Sequence, residues 1–126
     1  LLDARSKMGA LLVCSLLFAA SAATLLITES FLGILVAFAG FFTLAEMILE
    51  VAGAALAAGM APPGRRGTYL ALFGVCFGAA QGISPVVAGA LLDARMPDAV
   101  WGLQLAAAGL AAAALLALRR RGLRRP

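Results

Sequence analysis

The chain is dominated by four long apolar stretches that carry almost no charge, and this pattern limits what it can fold into. No charged residue occurs between Lys7 and Glu29, so the first stretch covers 21 residues. A helix of that length is about 31 Å long, which matches the hydrocarbon thickness of a bilayer. The predicted membrane-spanning helices cover residues 8–28, 31–60, 69–92 and 99–118. We therefore expect an all-α membrane protein with four transmembrane helices.

The composition excludes an ordinary water-soluble domain. Apolar residues make up 63% of the chain and charged residues 13%, and the mean hydropathy is +1.03. Soluble domains carry about 45–50% apolar and about 25% charged residues. The strands of a membrane barrel would be shorter and would alternate in polarity, and these stretches do not. Helices in lipid are the remaining solution.

The basic residues are distributed asymmetrically about the four stretches. Nine of the ten Lys and Arg residues precede the first stretch, separate the second from the third, or follow the fourth, whereas Arg95 alone separates the third from the fourth. The positive-inside rule then places both ends in the cytoplasm, with residues 119–126 as a basic tail. We expect a multi-pass protein of the plasma (inner) membrane. The basic residues form no stripe with interleaved aromatics, which argues against nucleic-acid binding.

Two acids lie inside the second stretch. Glu46 and Glu50 are four residues apart and share a helix face. An ionised acid at this depth costs about 2.5–3.5 kcal/mol on insertion scales. Phe38 and Phe42 extend the same row, so we predict a proton-coupling site or substrate cavity that includes Glu46, Glu50 and Phe42. The alternatives are structural acids that bond a neighbouring helix, and phenyl groups that face lipid.

The third stretch combines small residues with a helix breaker. Gly74, Gly78 and Gly82 recur every four residues, a spacing that lets helix backbones approach closely. Pro85 removes a helical hydrogen bond and is expected to kink the helix. Gln81 is the lone amide of this stretch, and we interpret it as an interhelical hydrogen-bonding group or a substrate contact.

Enzymatic chemistry is not indicated. The chain contains no His, its two Cys residues lie singly in apolar stretches, and no nucleophile triad or phosphate loop occurs. We therefore predict no catalytic residues, no metal and no cofactor.

The region after the second stretch is similar to a known family. Ala61-Pro62…Arg66-Gly67-x-Tyr69, followed by a helix that reaches Gly82-x-Ser84-Pro85-x-x-x-Gly89, resembles the major facilitator superfamily, most of all its drug:proton antiporter branch. Asp3-Ala4-Arg5-Ser6-Lys7 resembles a degenerate copy of the family's cytoplasmic loop motif. Ala45-Glu46 matches the acid of a family-typical Gly-Glu pair but not its glycine. The resemblance makes Asp3, Arg5, Arg66, Gly67 and Tyr69 cytoplasmic loop residues, and Gly89 part of the packed or kinked helix.

The resemblance also implies a larger transporter protein. Residues 1–126 would be the C-terminal part of a transporter domain, equivalent to helices nine to twelve and part of a six-helix half-bundle. The absence of an initial methionine likewise predicts a fragment. The implied activity is proton-coupled efflux of a drug-like molecule or metabolite by alternating access. The implied partners are that substrate, protons, the lipid bilayer and the remaining helices of the same transporter. Two alternatives remain: a small four-helix multidrug exporter that acts as an oligomer, and a membrane scaffold subunit without transport.

Overall fold

Four long helices make up the protein in a computed structural model that describes residues 4–122, and the side chains of residues 6–120. Each helix is long and apolar enough to cross a membrane, which confirms the predicted fold class. In chain order they are α1 (Ala4–Ile27), α2 (Phe31–Met60), α3 (Arg66–Asp93) and α4 (Pro97–Gly122). Within α2, a five-residue α-helical turn (Phe31–Leu35) leads into a π-helical segment (Val36–Phe42), and the α-helix resumes at Thr43–Met60.

The helices extend beyond the uncharged stretches at their basic ends. Arg66 and Gly67, which we expected in a loop, form the first turn of α3 together with Tyr69, the first residue of the predicted helix. Arg119 to Gly122 continue α4 into the expected tail. The loop prediction was wrong here because a helix can continue past the membrane surface, where its charged side chains remain in water. Arginine is also a good helix former. The loop prediction was also wrong for Arg5, whose backbone lies in the first turn of α1. Asp3 lies outside the described residues, as does the side chain of Arg5.

The helix ends follow local chemistry. Ser30 caps α2, since its hydroxyl accepts a hydrogen bond from the Gly33 amide at 3.1 Å. Gly64 adopts φ +82° in the turn after α2, a conformation that suits glycine. Helix α3 ends with Arg95 at φ +59°, while the Met96 amide donates to the Leu91 carbonyl. This is a Schellman termination with an arginine where glycine is preferred.

Helix α1 is the centre of the bundle. It packs against α2 on one side and α4 on the other, whereas α3 contacts the second half of α2 and approaches α4. The buried contacts use mostly small side chains, such as Cys14, Ala22, Ala45 and Ala108. Small residues let backbones approach closely in lipid, where van der Waals packing rather than water exclusion drives helix association. Many large apolar side chains are therefore left facing outward.

Three uncharged side chains hydrogen-bond from one helix to the backbone of another. The Cys14 thiol donates to the Ala45 carbonyl at 3.3 Å, and the Ser21 hydroxyl donates to the Ala37 carbonyl at 3.1 Å. Gln104 of α4 donates to the Phe18 carbonyl at 3.4 Å. Such bonds satisfy polar groups that would be costly in hydrocarbon. They fix the register of α1 against both of its neighbours.

Candidate functional site

A groove of about 540 Å³ lies between α1, α2 and α4. Its walls are formed by Leu11, Cys14, Ser15 and Phe18 of α1, Leu49 of α2, and Gln104, Ala107, Ala108, Ala111, Ala114 and Leu115 of α4. The surface is almost entirely apolar, with a thiol, a hydroxyl and one amide as its polar groups. Volumes of 300–1,000 Å³ with apolar walls and few polar groups are typical of sites for small organic molecules.

Glu46 lies beside this groove rather than inside it. Leu49 lines the groove, and residues three apart are neighbours on a helix surface. Glu46 is half-buried and Glu50 is exposed. Among the residues that the structure describes, no side chain donates a hydrogen bond to either carboxylate. The nearest basic group on α1, Lys7, instead donates to the Ala55 carbonyl at 3.1 Å.

Gln81 and Glu46 lie at similar depths on facing helices. A Cβ atom added to Gly53 would lie 2.8 Å from the ring of Phe73, so α2 and α3 touch at this level. Glu46 is seven residues before Gly53, and Gln81 is eight residues after Phe73. Because the helices are antiparallel and rise 1.5 Å per residue, both lie about 10–12 Å beyond the contact. The Gln81 side chain is exposed.

The two phenylalanines expected to share a row with the acids also contact other helices. Phe42 packs edge-on against Phe18 of α1 with ring centroids 5.3 Å apart, and Phe38 packs against Trp101 of α4 at 5.9 Å. The predicted row assumed a regular α-helix. The π segment places more residues in one turn, and the rings of Phe38 and Phe42 remain neighbours with centroids 5.6 Å apart. These rings form an aromatic cluster (Phe18, Phe38, Phe42 and Trp101), whose contacts the sequence pattern did not reveal.

The glycine-rich face of α3 is open. A Cβ atom at Gly74, Gly78, Gly82 or Gly89 would meet nothing within 4 Å among the described residues. Pro85 lies inside a helix that continues from Arg66 to Asp93, and no residue of α3 is buried. The roles predicted for these residues in packing and kinking remain predictions. A close neighbour for this face would have to come from outside the described residues.

The described residues contain no group of three or more Cys, Asp and Glu side chains that could hold a metal ion. The two free cysteines lie in different environments, because Cys14 is buried and Cys76 is exposed.

Comparison with known families agrees with this architecture. The family model described as Major Facilitator Superfamily matches residues 2–126. Neither a curated protein nor a solved structure matches the chain significantly. The family model covers nearly the whole chain, including all four membrane-spanning helices and both acids. The chain is therefore an integral, multi-pass membrane protein that belongs to the Major Facilitator Superfamily of secondary transporters.

Proposed function

We propose that this protein exports a small drug-like molecule or metabolite in exchange for protons by alternating access, with Glu46 as the proton-binding group. The observation that carries the proposal is a half-buried carboxylate, without a described hydrogen-bond partner, next to an apolar groove at the middle of a membrane span. Intramembrane acids are rare, costly and usually functional.

The cost of a buried charge favours a Glu46 carboxylate whose protonation changes with its access to water. An ionised acid at mid-span costs about 2.5–3.5 kcal/mol, a cost that neutralisation or access to water removes. No described cation or hydrogen-bond donor of α1 or α3 contacts the Glu46 carboxylate. A conformational change that moves it between water and protein would therefore favour proton binding in one state and release in the other. Glu50, one turn towards the basic end and exposed, is assigned to the entry route for water.

The apolar groove supports a largely apolar substrate. Its α4 wall is built mainly from alanines, and its polar groups are confined to a few positions including Ser15 and Gln104. Such a surface recognises organic molecules by shape and apolar contact and discriminates weakly between them. This combination suits efflux of varied drug-like compounds. Gln81 lies on α3, which contributes no residue to this groove, and we assign it as a polar substrate contact in the larger cavity of the complete transporter.

We further propose that the cavity is completed by the remaining helices of the same transporter. Gln81, Glu46 and Glu50 carry polar groups at depths where contact with lipid would be costly, so protein or a water-filled cavity should cover them. The open glycine face of α3 offers a place for close helix packing. We orient the basic end, which carries Lys7, Arg65 and Arg66, towards the cytoplasm of a plasma (inner) membrane.

The test is proton-driven transport of a cationic dye, ethidium, by the intact protein in proteoliposomes. The variant Glu46→Gln should reduce transport to the level of protein-free vesicles and remove its dependence on pH, while ethidium binding persists. The control is Glu29→Gln, because Glu29 is an exposed acid in the turn before α2 and undergoes the same chemical change outside the membrane. An unchanged rate and pH profile in Glu46→Gln would refute the proton-binding assignment.

A further inference from the structure

The π segment of α2 is an unusual element in the part of the helix that carries Phe38 and Phe42. Val36–Phe42 forms consecutive π-helical turns between two stretches of α-helix. A π turn is rare, holds one more residue than an α turn, and occurs most often as a short bulge at functional sites. It contains no proline that would enforce the irregularity. Its contacts must therefore account for it.

Two hydroxyl groups hold the segment in its widened form. The fully buried Ser21 of α1 donates to the carbonyl of Ala37, itself fully buried, at 3.1 Å. The Thr43 hydroxyl donates to the Phe38 carbonyl at 2.9 Å, and the Thr43 amide is directed at the same oxygen. These bonds satisfy consecutive carbonyls in a turn where the regular α-helical ladder is interrupted. One of the two comes from a different helix, so the π form depends on the packing of α1 against α2.

The π segment also carries a contact next to the Phe18 end of the groove. Among the described residues, no Cα atom of α2 lies within 8 Å of a Cα atom of α4. The rings of Phe38 and Trp101 bridge this gap at 5.9 Å. Phe38 in turn contacts Phe42 at 5.6 Å, and Phe42 contacts Phe18, which lines the groove. The aromatic cluster therefore joins all three helices at the end of the groove away from Lys7.

We propose that the π segment is a register switch that opens and closes this aromatic cluster. Conversion to regular α-helix shifts the part of α2 before Thr43 by one residue, a rotation of about 100° and a translation of about 1.5 Å relative to the Glu46 half. The Glu46 half stays in place because the Cys14 thiol bonds Ala45 and because Gly53 packs on Phe73. Phe38 then leaves Trp101, and the groove opens at that end.

The consequence for transport rests on the proposed function, but the register change can be measured without substrate or protons. Spin labels are attached at Leu32 and Leu110, which are both exposed. The intact protein carries Cys14→Ser and Cys76→Ala. The distance between the two labels is measured in liposomes by pulsed electron paramagnetic resonance. A 100° rotation at a helix radius of about 5–6 Å displaces the label at Leu32 by about 8 Å. The protein should therefore show two distance populations.

Variants of the segment should change these populations in opposite directions. Deletion of Gly40 removes the extra residue, so both parts of α2 keep their present faces and only the distance of the closed form should remain. Ser21→Ala and Thr43→Val remove the two hydroxyl bonds and should increase the second population. The control is Thr24→Val, because the Thr24 hydroxyl donates within α1, to the Ala20 carbonyl, and its loss should change nothing.

One unchanged distance in the parent protein, Ser21→Ala and Thr43→Val would overturn the switch, even if the Gly40 deletion fails to insert. An unchanged pH profile in Glu46→Gln would refute the proton-binding role alone and leave the distance populations unaffected. The two ideas can therefore fail separately.

Discussion

The contact between Gly53 and Phe73 offers a direct test of how α2 and α3 pack. A Cβ atom at Gly53 would lie 2.8 Å from two carbons of the Phe73 ring. Non-bonded carbons prefer about 3.5–4.0 Å, so Gly53→Ala requires the ring to move by roughly 0.7–1.2 Å. Movement of Phe73 also disturbs its stacking on Phe77, whose ring centroid is 6.2 Å away. We therefore expect the substitution to strain the interface.

The magnitude follows from two opposing effects. Overpacking of this kind costs about 1–3 kcal/mol, whereas replacing a helical glycine by alanine gains about 0.8–1.0 kcal/mol in helix propensity. Gly53→Ala should therefore lower the free energy of unfolding by about 0–2 kcal/mol. The control is Gly109→Ala, because a Cβ atom at Gly109 of α4 meets nothing within 4 Å. That variant should show the propensity gain alone.

The assay is reversible unfolding in mixed micelles titrated with denaturing detergent. The double variant Gly53→Ala, Phe73→Leu should be less destabilised than the sum of its single variants, by at least about 0.5 kcal/mol, because residues in contact are energetically coupled. Additive effects of Gly53→Ala and Phe73→Leu, together with equal effects of Gly53→Ala and Gly109→Ala, would refute the close approach of α2 and α3.

Two further predictions concern single residues. A membrane-permeant maleimide should label Cys76 faster than Cys14, because Cys14 is 3% exposed and Cys76 is exposed; faster labelling of Cys14 would contradict its packing between α1 and α2. Arg95→Gly should raise the free energy of unfolding by about 1 kcal/mol, because Arg95 holds φ +59°, a conformation that costs a non-glycine residue about 1–2 kcal/mol. A neutral or destabilising effect of Arg95→Gly would show that its side chain makes a compensating contact.

The candidate site was only partly visible in the sequence. Glu46 and Glu50 could be singled out because charge is conspicuous in an apolar stretch, and their shared helix face follows from a spacing of four. The row of Phe38 and Phe42 was predicted for a regular α-helix, and the sequence did not reveal that α2 is π-helical there. The groove was not predicted, since its alanines and leucines do not differ in kind from residues that face lipid.

The sequence by itself determined the number of membrane-spanning helices, the asymmetry of basic charge between the two sides, and the positions of the two intramembrane acids. These properties are local, because a helix in lipid satisfies its own backbone and its length is set by the bilayer. The tertiary structure decided which faces touch, including the central position of α1 and the bridge from Phe38 to Trp101. In water, polar and apolar faces differ and reveal which side of a helix packs. In a bilayer both sides are apolar, so packing depends on close fit and on hydrogen bonds such as that from Ser21 to Ala37, which exist only once the helices meet.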